Sequence, residues 1–292
     1  LERYQQCPHY YYYHNYLNLI PLQDNLDGIS GALWGLLIHD MMYDYNMACL
    51  DALGTLFPAL STSDRKNALE VSAKKAFKKY ASGSFFWNVK ADLLFGTEDK
   101  TGLISTIIDT EQPLHDTFIP EQCELSFLIT SEALPLPIKG KIDAVFKTDK
   151  GERVVIDYKT SRYLATSADI KTFRSLQLPI YLLSIVEAHK NVPEGAILFQ
   201  MHNETYNELK IVSCTEEAKK ELFDLKRKRP FLYNSYYFND LKLHVSMLSH
   251  HMMAGDFSFE FYDDLDTSNQ KRQQTCRYCP YKFNCHYPER FQ

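Results

Sequence analysis

No stretch of this chain is apolar for long enough to cross a membrane. A spanning helix needs about 20 consecutive apolar residues, whereas the longest run, Gly31 to Ile38, stops at His39 and Asp40. A secretory leader is missing too: the chain opens Leu-Glu-Arg-Tyr-Gln-Gln. These absences predict a cytoplasmic protein with no membrane partner, and the missing initial Met predicts a piece of a longer one. Internal repeats and low-complexity linkers are absent, and the composition is that of an ordinary globular chain, 45% hydrophobic and 24% charged. There is no basic excess of the kind a dedicated nucleic-acid binder carries, because 32 Lys and Arg against 37 Asp and Glu leave a net charge of −5. Seven cysteines, an odd number, exclude a fully paired disulfide framework.

What is present falls into three parts of one expected domain: a helical region over 1–115, a core over 116–255 and a cysteine-rich tail over 256–292. Tyr4 to Tyr16 is dense in aromatics. Ser30 to Met47 has apolar residues at helical spacing, and Ser61 to Asp64 offers N-cap residues before a helix over Ala68 to Tyr80. Three strands are predicted at Gln122–Thr130, Pro137–Phe146 and Arg153–Tyr158, with a turn at Thr148–Gly151. A helical period follows over Ala168–Ala188, then strands at Glu194–Met201 and Glu208–Ser213, then helices over Thr215–Lys228 and Leu241–Met253. The expected class is α+β, a central mixed sheet flanked by helices with a helical N-terminal part.

Charge is distributed unevenly. From Lys139 to Arg174 nine Lys and Arg face five Asp and Glu, and a second basic run is Lys226 to Arg229. Either run alone is most simply a solvated face. The acids inside the first are more telling. With a turn centred on Asp149 and Lys150, Asp143 falls opposite residue 156, one step from Asp157. Cross-strand neighbours lie about 5 Å apart, so two carboxylates converge, which is costly unless a cation sits between them. Asp157 and Lys159 are two apart and share a strand face. An Asp-x-Lys on an exposed strand is unremarkable, but Asp157 follows Val-Val-Ile, a buried-strand signature where a free Asp is unfavourable. The oxygen ligands suit Mg²⁺ or Mn²⁺. The same arithmetic brings Glu124 within one residue of the position facing Asp143, as a third carboxylate.

Cys276-x-x-Cys279 followed by Cys285 crowds three thiols into ten residues, which suits a soft metal, zinc or iron–sulfur. His286, adjacent to Cys285, is awkwardly placed to complete the same tetrahedron, and the distant Cys7 is the other candidate. Cys49, Cys123 and Cys214 stand alone in apolar surroundings and read as small core residues.

Gly140-x-x-Asp143, then Asp157-Tyr-Lys159-Thr, then Gln177-x-x-x-Tyr181, resembles the RecB-like branch of the PD-(D/E)XK nucleases. The resemblance implies that Asp143 and Asp157 hold a divalent metal, with the Tyr158 carbonyl as a further ligand. It implies that Lys159 orients or activates the attacking water, and that Gln177 and Tyr181, four apart on one helix face, support that lysine and the DNA. His39, after Gly31-Ala-Leu-Trp-Gly35, extends the match as a histidine delivered to the metal by an N-terminal helix. Leu1 to Cys7 and the three late cysteines resemble the iron–sulfur subset, AddB-type subunits and the CRISPR-associated exonucleases. The implied 4Fe–4S cluster on Cys7, Cys276, Cys279 and Cys285 would join the two ends of the chain.

The helical stretch between His39 and Gly140 favours the AddB-type, C-terminal nuclease domain. The expected activity is exonucleolytic hydrolysis of DNA, single-stranded or at unwound ends, in recombinational repair beside a helicase or helicase-like region. Rival readings are a catalytically silent iron–sulfur module that binds DNA, a CRISPR-associated exonuclease, and a zinc-stapled interaction domain. The last leaves the acidic hairpin unexplained.

Overall fold

A computed structural model of the 292-residue chain describes residues 1–20, 29–53, 60–161, 164–190, 193–203, 206–216, 218, 230–258, 276 and 279–285. Short helices α1 (Glu2–Gln6) and α2 (Pro8–Tyr11) run into a π-helical turn at Tyr12–Tyr16. Four longer helices follow: α3 (Gly31–Leu53), α4 (Thr62–Tyr80), α5 (Phe85–Phe95) and α6 (Leu103–Thr117), with a small hairpin, β1 (Gly96–Thr97) and β2 (Lys100–Thr101), between the last two. As expected, Ser61 caps α4, its hydroxyl accepting from the Asp64 amide.

The sheet is built from β3 (Ile119–Ile129), β4 (Ile138–Lys147), β5 (Arg153–Lys159), β6 (Gly195–Asn203), β7 (Tyr206–Cys214) and β8 (Phe231–Leu232), in that spatial order. β5–β6 and β7–β8 are parallel and the other pairs antiparallel. The mixed six-stranded sheet with helices agrees with the α+β class. Helices α7 (Ser167–Lys171) and α8 (Gln177–His189) form the crossover between the parallel neighbours β5 and β6, and α9 (Ser235–Met253) follows β8. The predicted continuous helix over Ala168–Ala188 is broken in two. Phe173, between the halves, sits at φ 55°, a left-handed conformation that no α-helix continues through. The predicted helix over Thr215–Lys228 and the basic run at 226–229 lie largely or wholly outside the described residues.

β5 is buried on both faces. Val154, Ile156 and Tyr158 point into one apolar cluster with Leu37, Met41 and Met42 of α3. Val155 points into the other, with Leu182 and Leu183 of α8. Such two-sided burial explains why β5 reads as a continuous apolar run. Glu121 ties three strands together, receiving a two-pronged contact from Arg153 (2.6 and 2.8 Å) and lying 3.4 Å from Lys147.

Candidate active site

β4 and β5 pair only from Ala144–Ile156 down to Lys147–Arg153. One step further the two strands part, and the residues at the parting are Asp143 and Asp157. The spacing predicted this meeting within one residue. In place of a ladder bond, the Tyr158 amide donates to Asp143 Oδ2 at 2.9 Å. In an extended strand a residue's N–H and C=O point to the same side, so the Tyr158 carbonyl also faces this gap.

Asp143 marks a change of face in its own strand. Ile138 and Ile142 belong to the α8-side cluster, whereas Ala144 and Phe146 belong to the α3-side cluster. Strict alternation would put all four on one side. Across from Asp143, between the Cys123–Ala144 and Leu125–Ile142 pairs, Glu124 adopts φ 51°, rare for a residue with a side chain. The kink turns the Glu124 carboxylate to an ion pair with Lys141.

From the α3 side, His39 Nδ1 comes within 3.5 Å of Asp143 Oδ1, with the imidazole 34% and the carboxylate 14% exposed. The hydrogen bond to Asp143 raises the His39 pKa, against a smaller opposing effect of burial. From the α8 side, the Asp157 side chain is completely buried. Burial pushes its pKa up to about 6, the charge of Lys159 pulls it down, and that of Asp143 adds to the rise. Lys159 Nζ lies 2.7 Å from Asp157 Oδ2, an ion pair between a buried carboxylate and a partly exposed ammonium. The ammonium also donates to Gln177 Oε1 at 2.9 Å, and Gln177 Nε2 donates to Tyr181 Oη at 2.8 Å. The Tyr181 ring packs edge-on against Phe127 of β3 at 5.9 Å. All the residues expected here are therefore brought to one place except the Glu124 carboxylate, which is turned to Lys141.

A buried carboxylate paired with the Lys159 ammonium, beside a second acid, a histidine and a backbone carbonyl that faces the same gap, is a donor set that suits a hard divalent cation. Among the described residues, no three His, Cys, Asp or Glu side chains are already drawn into a metal-holding group, so these donors would close on an ion.

The N-terminal aromatics pack on the tail. Tyr13 Oη donates to the Asn284 carbonyl at 2.9 Å, Tyr281 Oη donates to the Leu19 carbonyl at 2.5 Å, and Cys285 Sγ lies 3.5 Å from His9 Nδ1. The Cys7 thiol is pushed up to about 12, by burial first and then by the nearness of Cys285, Cys276 and Cys279. These are the four cysteines singled out in the sequence. Cys49 and Cys214 are buried singly in the core.

The model of the PD-(D/E)XK nuclease superfamily matches residues 1–286. The chain belongs to the PD-(D/E)XK nuclease superfamily. A comparison with curated proteins gave no match. A solved structure described as the crystal structure of SSO0001 is 15% identical, with a TM-score of 0.34 over 88% of this chain and 96% of that one, too slight a likeness to bear on the site. Membership makes this chain a nuclease by family, and nucleases of this superfamily generally use Mg²⁺ or Mn²⁺. Among the described residues no helix is long and apolar enough to cross a membrane.

Sequence reasoning missed Asn46. It is buried on α3, and its Nδ2 donates to the Tyr158 hydroxyl at 2.7 Å. A signal was available: Asn46 stands two turns from His39, polar among Tyr45, Met47 and Met42. The buried group of Tyr45, Arg65, Glu111 and His115 was missed as well. Arg65 Nη1 donates to Glu111 Oε1 at 3.0 Å, and the Tyr45 hydroxyl donates to the same oxygen.

Proposed function

We propose that this chain is a divalent-metal-dependent deoxyribonuclease acting from DNA ends, single-stranded or unwound, beside a helicase or helicase-like region. The observation that carries the hydrolytic reading is Asp157: a carboxylate with no exposed surface, paired with Lys159 and across a strand gap from Asp143. Burial raises its pKa and the charge of Asp143 adds to the rise. A bound dication would offset both effects.

His39, Asp143, Asp157 and the Tyr158 carbonyl would hold the ion. When bound it would stabilise the charge that develops on the scissile phosphate. Lys159 is held by Gln177 and Tyr181 so that its ammonium reaches the same gap. There it orients the attacking water and offsets phosphate charge, roles that need a compact donor in a fixed place. His39, hydrogen-bonded to Asp143, keeps that carboxylate turned into the gap. Glu124, engaged by Lys141, stays outside the ligand set.

The end-directed mode, the repair setting and the helicase partner rest on the resemblance to AddB-type domains. So does the 4Fe–4S cluster. Four thiols close enough for Cys285, Cys276 and Cys279 to raise the pKa of Cys7, with tyrosines packed beside them, form a donor set that fits such a cluster, and Cys7, Cys276, Cys279 and Cys285 would hold it.

The test is cleavage of end-labelled single- and double-stranded DNA with Mg²⁺ or Mn²⁺, by protein prepared without oxygen. Wild type should shorten labelled DNA from an end, and Asp143→Ala should be inactive while still folded. Wild-type cleavage by Asp143→Ala would remove the basis of this reading.

A further inference from the structure

We propose that Asn46 is a positioning residue that sets the metal-binding geometry through Tyr158; the inference rests on the nuclease reading above and concerns the same site. Tyr158 stands between Asp157 and Lys159, and its backbone amide holds Asp143. Its side chain points the other way, into the α3-side core, where its hydroxyl accepts a hydrogen bond from Asn46. One residue is thus fixed at both ends, by a carboxylate that would bind metal and by an amide that would not.

α3 touches this stretch of chain along one face. A side-chain carbon added at Gly35 would sit 3.5 Å from the Thr160 hydroxyl. The His39 ring stands edge-on to Tyr158 at 6.4 Å. Asn46 lies two turns beyond His39, on the same face. The Asn46–Tyr158 bond therefore fixes how far α3 slides along β5, and that distance decides where His39 meets Asp143.

Stability does not account for the amide. Asn46 is fully buried beside an apolar cluster, and its Oδ1 has no hydrogen-bond partner among the described residues. Burying an unsatisfied carbonyl is unfavourable, and a leucine of the same branched shape would avoid that. Tyr45, the next residue, already ties α3 to α6 through Glu111. What Asn46 adds is a directional contact to the motif strand, and outer contacts of this kind tune how ligands meet a metal.

The experiment compares wild type, Asn46→Leu, Tyr158→Phe and the double variant, with Asp143→Ala alongside. Each is measured for melting temperature, for Mn²⁺ affinity by calorimetry, and for kcat and KM on labelled DNA. Asn46→Leu relieves the unsatisfied carbonyl but leaves the buried Tyr158 hydroxyl without this partner, so its melting temperature should change little. Its Mn²⁺ affinity and kcat should each fall on the order of 10- to 100-fold, with KM for DNA nearly unchanged. Tyr158→Phe should lose a similar factor, and the double variant should be no worse than either single one, since both remove the same bond.

A merely structural role gives the opposite pattern, a lower melting temperature with wild-type kcat and Mn²⁺ affinity below it, and that pattern overturns the proposal. So do additive losses in the double variant. If Asn46→Leu does not fold, Tyr158→Phe decides alone: wild-type metal affinity and turnover refute the proposal, and reduced values sustain it. Asp143→Ala separates the two levels. If it is inactive while the Asn46 and Tyr158 variants behave as wild type, only the positioning role fails; if it cleaves normally, the nuclease reading fails and this inference with it.

Discussion

A carboxylate with no exposed surface resists ionisation unless nearby cations offset its burial, and at Asp157 the Lys159 ammonium 2.7 Å away offsets it only in part. The Asp157 pKa, pushed up by burial to about 6 from an ordinary 3.8, means that the folded protein binds more protons than the unfolded chain between those values. The metal-free protein should therefore lose stability as pH rises from about 4 to about 6 and then level off, by at most about 3 kcal/mol. Asp157→Asn should remove that loss, melting a few degrees above the parent at pH 7 in chelator and level with it near pH 4. Scanning calorimetry at the two pH values checks this, and an Asn variant that melts below the parent at pH 7 contradicts it. The same variant should be inactive. Glu124→Gln should by contrast keep cleavage within a few-fold of wild type in a steady-state assay, because its carboxylate serves Lys141; a dead Glu124→Gln would return it to the ligand set. The importance of Asp157 was legible because Val-Val-Ile before it announced a buried strand. Asn46 was legible only as a polar residue two turns from His39, and its role stayed hidden because its partner across the core is not visible in the sequence.

Among the elements, the β3–β4–β5 meander decides the geometry, and here a glycine is required for a stated reason. A side-chain carbon at Gly140 would come within 2.4 Å of the Phe127 ring, which itself packs on Tyr181. Gly140→Ala should therefore push Phe127 against Tyr181 and, through Gln177, shift Lys159. The expected cost is about 1–3 kcal/mol of stability from overpacking, together with a fall in turnover larger than the stability loss explains. Phe127→Leu in the Gly140→Ala background should restore much of both. Denaturant melts and kcat for the three variants test it, and a Gly140→Ala protein with normal turnover would break the proposed chain of contacts. The strands were legible to within a few residues, since β-branched runs between turn residues have few alternatives. The two-residue strands β1, β2 and β8 were not, because so few residues show no period. The break between α7 and α8 was hidden because Phe173, the residue that turns left-handed, gives no local warning as a glycine would. The kink at Glu124 escaped notice for the same reason.

For the whole molecule, the question is what keeps the first helices beside the last residues of the described tail. Tyr13, Tyr281 and the rings around them already make that contact through hydrogen bonds and aromatic packing. The cysteine spacing marked only the three late thiols, and the resemblance to the iron–sulfur subset implied that Cys7 joins them, whereas the tyrosines between the ends read only as an aromatic run. A cluster held by Cys7, Cys276, Cys279 and Cys285 would close a loop of nearly the whole chain. Cross-links restrict the unfolded state most when the loop is longest, on the order of 5 kcal/mol in the simple chain-entropy model. Ligation adds folding energy of its own, since four dispersed thiols are not preorganised in the unfolded state. Cys7→Ala should therefore lose iron and sulfide together with global stability, although it lies far in sequence from the carboxylates, while Cys49→Ala and Cys214→Ala keep the cluster and lose only the packing of a small side chain. Protein purified without oxygen should be brown, and iron, sulfide and melting temperature measured side by side decide the matter. Zinc in place of iron and sulfide would keep the staple and change its chemistry. Full metal content and full stability in Cys7→Ala would leave the aromatic packing alone to hold the two ends together.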